Sequence, residues 1–267
     1  MLIDLSEHVL IVTGAAHGIG RALALRFAEE GAIVAAFDVD SADLDALVAA
    51  IGAAGGRASG WTVDVRDGDA VLAAVQAVHS AFGRIDVVVN NAGVGADKPL
   101  DQLTEDEWDR CFDVNLKGVW HVSKAVMPFM KAQRSGRIIN AASFAAIIPM
   151  AGVGAYAASK AGVVQLTRAL AGELGPWDVT VNAYAPGMVP TGINHFTERP
   201  AEEQARLLST LTLRRWGTEG DIADLCCFLA SDKANYITGT LIDISGGKFA
   251  TQQPAIPYIW AQEEQGA

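Results

Sequence analysis

Short apolar runs alternate along the chain with longer segments whose apolar residues recur at helical spacing. The runs lie at 9–13, 33–37, 58–63, 85–90, 137–142, 179–184 and 241–244. Several are almost unbroken in Val, Ile and Ala, the pattern of strands covered on both faces. Between them the periodicity predicts helices near 19–30, 41–53, 68–82, 104–132, 155–174 and 219–230. Strand and helix in rotation imply a parallel sheet with helices on both sides. Right-handed crossovers then make it a doubly wound α/β sheet. No linker, repeat or low-complexity block interrupts the rhythm, so residues 1–267 read as a single domain. Two segments depart from it. Residues 192–216 are polar, include Pro200 and predict a helical lid-like insertion. Residues 248–267, with Pro254 and Pro257 among apolar residues, predict an irregular tail.

Composition narrows the class. Apolar residues make up 51% and charged residues 19%, which supplies a core and excludes a disordered tail or a disulfide scaffold. With 20 Lys and Arg against 31 Asp and Glu, the net charge of -11 argues against nucleic acid as a partner. The three cysteines, Cys111, Cys226 and Cys227, lack metal-ligand spacing and predict a reduced, cytoplasmic protein without a metal. The opening residues carry acids and no basic stretch, so no targeting segment is expected. The charge-free stretch from Ile138 to Ser159 has the length of a membrane span. It contains Asn140, Ser143, Pro149 and Tyr156, however, and reads as strand, loop and helix start, with no membrane partner.

The first run ends in Thr13-Gly14-Ala15-Ala16-His17-Gly18-Ile19-Gly20. Glycines between a strand and a helix permit a tight turn and close approach of a pyrophosphate to the backbone. The helix that begins near Gly18 offers free N–H groups and a positive dipole end. The spacing is Gly-x-x-x-Gly-x-Gly, not Gly-x-Gly-x-x-Gly, and a plain glycine-rich cap is the simpler alternative. Asp38 closes the second run at the position of an acid that accepts ribose hydroxyls and repels a 2′-phosphate. Its neighbours Val39 and Asp40 supply no cation, and His17 is the only basic residue in the glycine loop. NAD is therefore expected over NADP. Asp38 is also a plausible turn acid, with Asp40 or Ser41 as the cap of the next helix. Asp64-Val65 ends the third run and suits the adenine edge; Asn90-Asn91-Ala92-Gly93 ends the fourth, with small residues and amides for close passage of a ligand.

A second constellation follows. Tyr156 and Lys160 stand one helical turn apart and share a face. A free phenol titrates near ~10, and a nearby ammonium favours its ionised form. Ser143 ends the preceding strand, where its hydroxyl can bond a substrate oxygen. Asn115 lies inside the long helical pattern, placed to hold a water beside Lys160. Each alone has a plainer reading: a solvated helix face, a strand-end cap, a satisfied buried amide.

Taken together and in order, these residues resemble the short-chain dehydrogenase/reductase family. The matches are Thr13-Gly14-x-x-x-Gly18-Ile19-Gly20, Asn90-Asn91-Ala92-Gly93, Asn115, Ser143, Tyr156-x-x-x-Lys160, and Pro186-Gly187 followed by Thr191, over about residues 5–247. The resemblance implies a Rossmann-type fold and oxidoreductase activity with a nicotinamide dinucleotide. It implies that Tyr156 is the acid/base, that Ser143 steadies the reacting oxygen, and that Lys160 holds the nicotinamide ribose and lowers the tyrosine pKa. Asn115 would support a proton-relaying water. Pro186, Gly187, Val189 and Thr191 would lie beside the nicotinamide. One departure is Ser245-Gly246-Gly247, where the family often has Asp-Gly-Gly.

The substrate wall is expected from 144–150, 152–154, 187–189 and 192–216, with Phe144, Ile147, Ile148, Met150, Met188 and Phe196 making it apolar. His195 is its titratable candidate, and no Arg or Lys cluster is expected there unless Arg214 and Arg215 fold inward. A neutral secondary alcohol or its ketone (a polyol, sugar or cyclic alcohol) fits this wall. A 3-oxoacyl thioester reductase and a non-catalytic NAD-sensing protein are the alternatives. The sparse charge on helices 104–132 and 155–174 predicts subunit packing, and the resemblance implies a homotetramer, with the apolar tail residues Ile256 to Trp260 reaching a neighbour.

Overall fold

The computed structural model describes residues 3–192, 194 and 196–264. Its elements run β1 (Val9–Thr13), α1 (Gly18–Glu29), β2 (Ile33–Asp38), α2 (Ser41–Ala53), β3 (Arg57–Thr62), α3 (Gly68–Phe82) and β4 (Val87–Asn90). They continue with α4 (Glu105–Phe112), α5 (Gly118–Gln133), β5 (Gly136–Ala141), α6 (Gly154–Leu174) and β6 (Val179–Pro186). The last are α7 (Ala201–Leu208), α8 (Glu219–Ala230), β7 (Leu241–Ile244) and α9 (Ile256–Glu264). The strands form one parallel sheet of seven in the order β3-β2-β1-β4-β5-β6-β7. The winding reverses between β1 and β4, which opens a crevice at the carboxyl ends of those strands.

The unbroken apolar runs are explained by two cores. Successive residues of β1 point to opposite faces, so Leu10 and Val12 pack with Leu23 and Phe27 of α1 and Ile222 and Cys226 of α8. Val9 and Ile11 pack on the other side with Val75 of α3, Val122 and Val126 of α5, and Leu174 of α6. Each fully buried side chain of this kind contributes about 1.5–3 kcal/mol. The expected helix over 104–132 is two helices. A π-helical turn at Asp113–Lys117 separates α4 from α5 and carries the fully buried Asn115. The extra residue per turn re-aims the chain, as such turns commonly do at functional sites.

Four of the described α-helices carry side-chain caps at their starts. Asp40 accepts from the backbone of Ala42 and Asp43 at the start of α2, and Asp67 does the same for α3. Thr104 with Glu107 and Thr218 with Asp221 close reciprocal boxes on α4 and α8. Helix α1 begins after His17 with no side-chain cap bond, and its first residues Gly18 and Ile19 line the crevice, leaving N–H groups for a ligand there.

The tail is not irregular throughout. Residues Ile256–Glu264 form α9, and the Tyr258 hydroxyl donates to the Thr212 carbonyl at 2.7 Å. Arg214 lies 3.8 Å from the centre of the Tyr258 ring, so this guanidinium is held against the tail. No helix among the described residues is long and apolar enough to cross a membrane.

Candidate active site

A cleft of about 600 Å³ runs along the carboxyl edge of the sheet. At one end lies the glycine loop. Gly14 has φ +64°, and a Cβ there would stand 2.9 Å from the Ala92 Cα. A Cβ on Gly20 would fall 1.9 Å from the Gly14 carbonyl oxygen, so only glycine lets α1 start this close to β1. Gly18 has φ +49° with no neighbour closer than 3.7 Å to such a Cβ, which leaves room above the helix start. The Thr13 hydroxyl accepts from the N–H groups of Asn91 and Ala92 at 3.0 and 3.1 Å, tying the loop after β4 to the loop after β1.

Asp38 is held in place by three N–H groups. One carboxylate oxygen accepts from Ala16 at 2.8 Å; the other accepts from Val39 at 2.7 Å and Asp40 at 3.1 Å. His17 turns away from the helix axis, with Nε2 3.3 Å from Asp43 and 3.6 Å from Asp40. Asp64 is forked by Arg66, whose Nη2 lies 2.6 Å away, and this ion pair holds the Asp64 carboxyl below its usual range. Val39, Val63 and Val65 complete that end of the cleft.

At the other end Tyr156 and Lys160 project from the first turns of α6. Lys160 is buried and donates to the Ala141 carbonyl at 2.7 Å; its Nζ lies 5.8 Å from the centre of the Tyr156 ring. Burial lowers the Lys160 ammonium from 10.5 to about 8. Burial also raises the Tyr156 phenol, while a hydrogen bond from Ser143 pulls it down and the charges of Cys111 and Asp97 push it further up. Burial is the main cause of the raised phenol in the protein alone. Ser143 follows β5, and its hydroxyl accepts from the Ala145 N–H at 3.1 Å. Opposite, Pro186 ends β6 and Gly187 packs on Ser245, whose Cα would be 2.5 Å from a Cβ at 187. Ser245 thus packs against the backbone of a cleft residue.

A family model described as short chain dehydrogenase matches residues 8–202. The chain belongs to the short-chain dehydrogenase family. It is 42% identical over 243 residues to 3-oxoacyl-(acyl-carrier-protein) reductase of Thermotoga maritima, covering 91% of this chain and 98% of that one. Its fold matches that of NAD+-bound xylitol dehydrogenase with a TM-score of 0.87 and 32% identity over 91% of this chain and 99% of that one. Levodione reductase gives a TM-score of 0.88 and 36% identity, with coverage of 92% and 99%.

Most residues singled out from the sequence line this one cleft. Gly14, His17, Gly18, Ile19, Asp38, Asp64, Val65, Asn91, Ala92 and Gly93 face it, as do Ser143, Tyr156, Lys160, Pro186, Gly187, Val189 and Thr191. Two do not. Gly20 is packed beneath the loop, for the steric reason just given. Asn115 is fully buried, and its carboxamide bonds Val94, Ser159 and Cys111. Its side chain therefore positions the chain at Val94.

The substrate wall is also revised. Phe144, Met150 and Phe196 line the cleft, and Val153 joins them. Ile147 and Ile148 are about half exposed outside it, and Met188 is buried in the lid cluster with Leu211. Arg199 and Arg110 face the cleft, where no Arg or Lys cluster was expected. Arg214 stacks on Tyr258 and Arg215 pairs with Asp221 at 2.9 Å, so neither folds inward. Arg199 is itself paired with Glu203 at 2.6 Å. His195 lies outside the described residues. Tyr184, which the sequence offers only as a buried strand residue, also backs the cleft.

Proposed function

We propose that this short-chain dehydrogenase interconverts a neutral secondary alcohol and its ketone, with NAD as the preferred dinucleotide. The observation that carries the reading is the meeting of Tyr156, Ser143 and Lys160 at one end of a cleft whose other end is an uncapped helix start beside Asp38. The glycine loop fits a dinucleotide, since the steric contacts at Gly14 and Gly20 leave no room for side chains and the N–H groups of α1 suit a pyrophosphate. A bound nicotinamide would accept or give the hydride. Tyr156 would take the hydroxyl proton during oxidation and return it during reduction. Ser143 would hold the reacting oxygen, and Lys160 would hold the nicotinamide ribose and draw the phenol toward ionisation in the loaded site.

The NAD preference rests on Asp38. Its fixed carboxylate suits a ribose diol and repels a 2′-phosphate, and no Lys or Arg follows it in Val39-Asp40. The substrate class rests on the apolar wall of Phe144, Met150, Val153 and Phe196, with Arg199 neutralised by Glu203. Reduction of a 3-oxoacyl thioester is a second reading, at least as well supported by the 42% identity to such a reductase. The proposal extends to a cytoplasmic homotetramer formed from a single domain. Trp108 and Trp120 stand 39% and 42% exposed on α4 and α5, an apolar face suited to a second subunit.

The test is an absorbance screen of secondary alcohols, ketones and a 3-oxoacyl thioester, each with NAD(H) and NADP(H). NAD-linked turnover of alcohols is the expected result. Turnover of the thioester alone selects the second reading, and dinucleotide binding without any turnover would make the chain a sensing protein.

A further inference from the structure

We infer that Tyr184 is a positioning residue for the dinucleotide cradle: its buried hydroxyl fixes the carboxamide of Asn91 against the glycine loop. The inference rests on the dinucleotide reading above. Tyr184 stands on β6, two strands away from β4, a span of about 9–10 Å. Its side chain is fully buried and crosses that span to donate to Asn91 Oδ1 at 3.2 Å. It is the only donor to that oxygen recorded among the described residues.

The other end of the same carboxamide does the work on the loop. Asn91 Nδ2 donates to the carbonyls of Thr13 at 3.1 Å and Gly14 at 3.2 Å. A carboxamide has two faces that a rotation exchanges. In the reversed sense Oδ1 would oppose two carbonyl oxygens while the NH₂ met the phenol. The two carbonyls select the sense in which Asn91 holds the loop, and the Tyr184 hydroxyl, donating to the oxygen left on the far side, anchors the carboxamide there. The place held is a tight one. The Cβ position that collides with the Gly14 carbonyl at Gly20 is also only 2.6 Å from Asn91 Nδ2, so carbonyl, amide and helix start are mutually packed. Tyr184 serves the opposite end of the cleft through its backbone. It pairs with Ala141, whose carbonyl receives Lys160, and its own carbonyl accepts from the Ala142 N–H at 2.9 Å, next to Ser143. One residue thus ties the pyrophosphate loop to the strand end that carries the reacting groups. Burial keeps its phenol protonated well beyond its ordinary range, so it remains a donor at every pH of interest.

The experiment is calorimetric titration of NAD and NADH into the wild type, Tyr184→Phe, Asn91→Ala and the double variant, with thermal denaturation of each. Tyr184→Phe keeps the ring and removes only the hydroxyl. Its Kd for dinucleotide should rise on the order of tenfold, the scale of one buried hydrogen bond. In steady state the loss should fall on KM for the dinucleotide, with a much smaller change in kcat at saturation. The double variant should bind no more weakly than Asn91→Ala, because the hydroxyl then has no carboxamide to anchor. Unchanged binding by Tyr184→Phe, or losses that simply add in the double variant, would overturn the inference. So would normal binding by Asn91→Ala, a result that decides the matter even if Tyr184→Phe does not fold. A wild type that binds no dinucleotide would instead remove the reading beneath it.

Discussion

Asn115 grips the backbone of Val94 at both ends, accepting from its N–H at 2.8 Å and donating to its C=O at 3.0 Å. The two residues belong to different layers: one sits in the π-helical turn before α5, the other in the loop after β4 that lines the cleft. Asn115→Ala would leave both groups of Val94 without this partner, and each such buried group costs about 1–3 kcal/mol. The variant should melt several degrees lower and lose most of its turnover, with weaker dinucleotide binding as the loop loosens. An unchanged melting temperature and unchanged binding would contradict this role.

Gly20 gives a sharper steric prediction. A methyl group there would meet the Gly14 carbonyl at 1.9 Å and Asn91 Nδ2 at 2.6 Å. Backbone cannot yield as a flexible side chain does, and overpacking typically costs about 1–3 kcal/mol. Gly20→Ala should therefore bind dinucleotide at least about tenfold more weakly and melt lower than wild type. Titration calorimetry and thermal denaturation check both, and wild-type affinity would show that the loop shifts freely.

Asp38→Ala should change which dinucleotide is used. Removing the carboxylate takes away the ribose acceptor and the repulsion of a 2′-phosphate together. The NAD-over-NADP ratio of kcat/KM should fall by about tenfold or more. Because Asp38 also accepts from Ala16 at 2.8 Å, a modest loss of stability should accompany the change. An unaltered ratio would reduce Asp38 to a turn residue.

The two directions of reaction should differ in pH dependence. Oxidation needs the phenolate of Tyr156, and burial raises that phenol in the protein alone. Lys160 releases its proton near about 8. Below that pH the ammonium is charged and the phenol protonated, so kcat/KM for oxidation should climb by about tenfold per pH unit as the phenolate forms. Reduction needs the phenol as acid, so its kcat/KM should be flat at low pH and fall on the alkaline side. Profiles from pH 6 to about 10 in both directions test the sign. Oxidation that weakens as the pH rises toward 8 would contradict the assignment.

Much of this was legible in the sequence because it is local. The apolar runs mark strands buried on both faces, and the glycine spacing marks the turn into α1. Tyr156 and Lys160 share a helical face by periodicity alone. What was not legible depends on partners far away in the chain. Asp-Val-Asn-Leu-Lys at 113–117 has an ordinary helical composition, and its π turn is linked to Asn115 reaching Val94. Tyr184 counts as one more buried strand residue until Asn91 is placed beside its hydroxyl. The phenol was expected to be lowered by charge, but pattern does not report how deeply both groups are desolvated. Arg199 and Arg110 reach the cleft by the path of the lid and of α4, which spacing alone does not give.

The central claim is that the Tyr156 hydroxyl moves the proton. Tyr156→Phe removes that oxygen and leaves the ring, Ser143 and Lys160 in place. The direct measurement is kcat for the variant on whichever substrate the screen identifies, paired with NADH titration. The account predicts a loss in kcat on the order of 10²–10⁴, with NADH affinity close to that of the wild type. Turnover within a few fold of the wild type would contradict it.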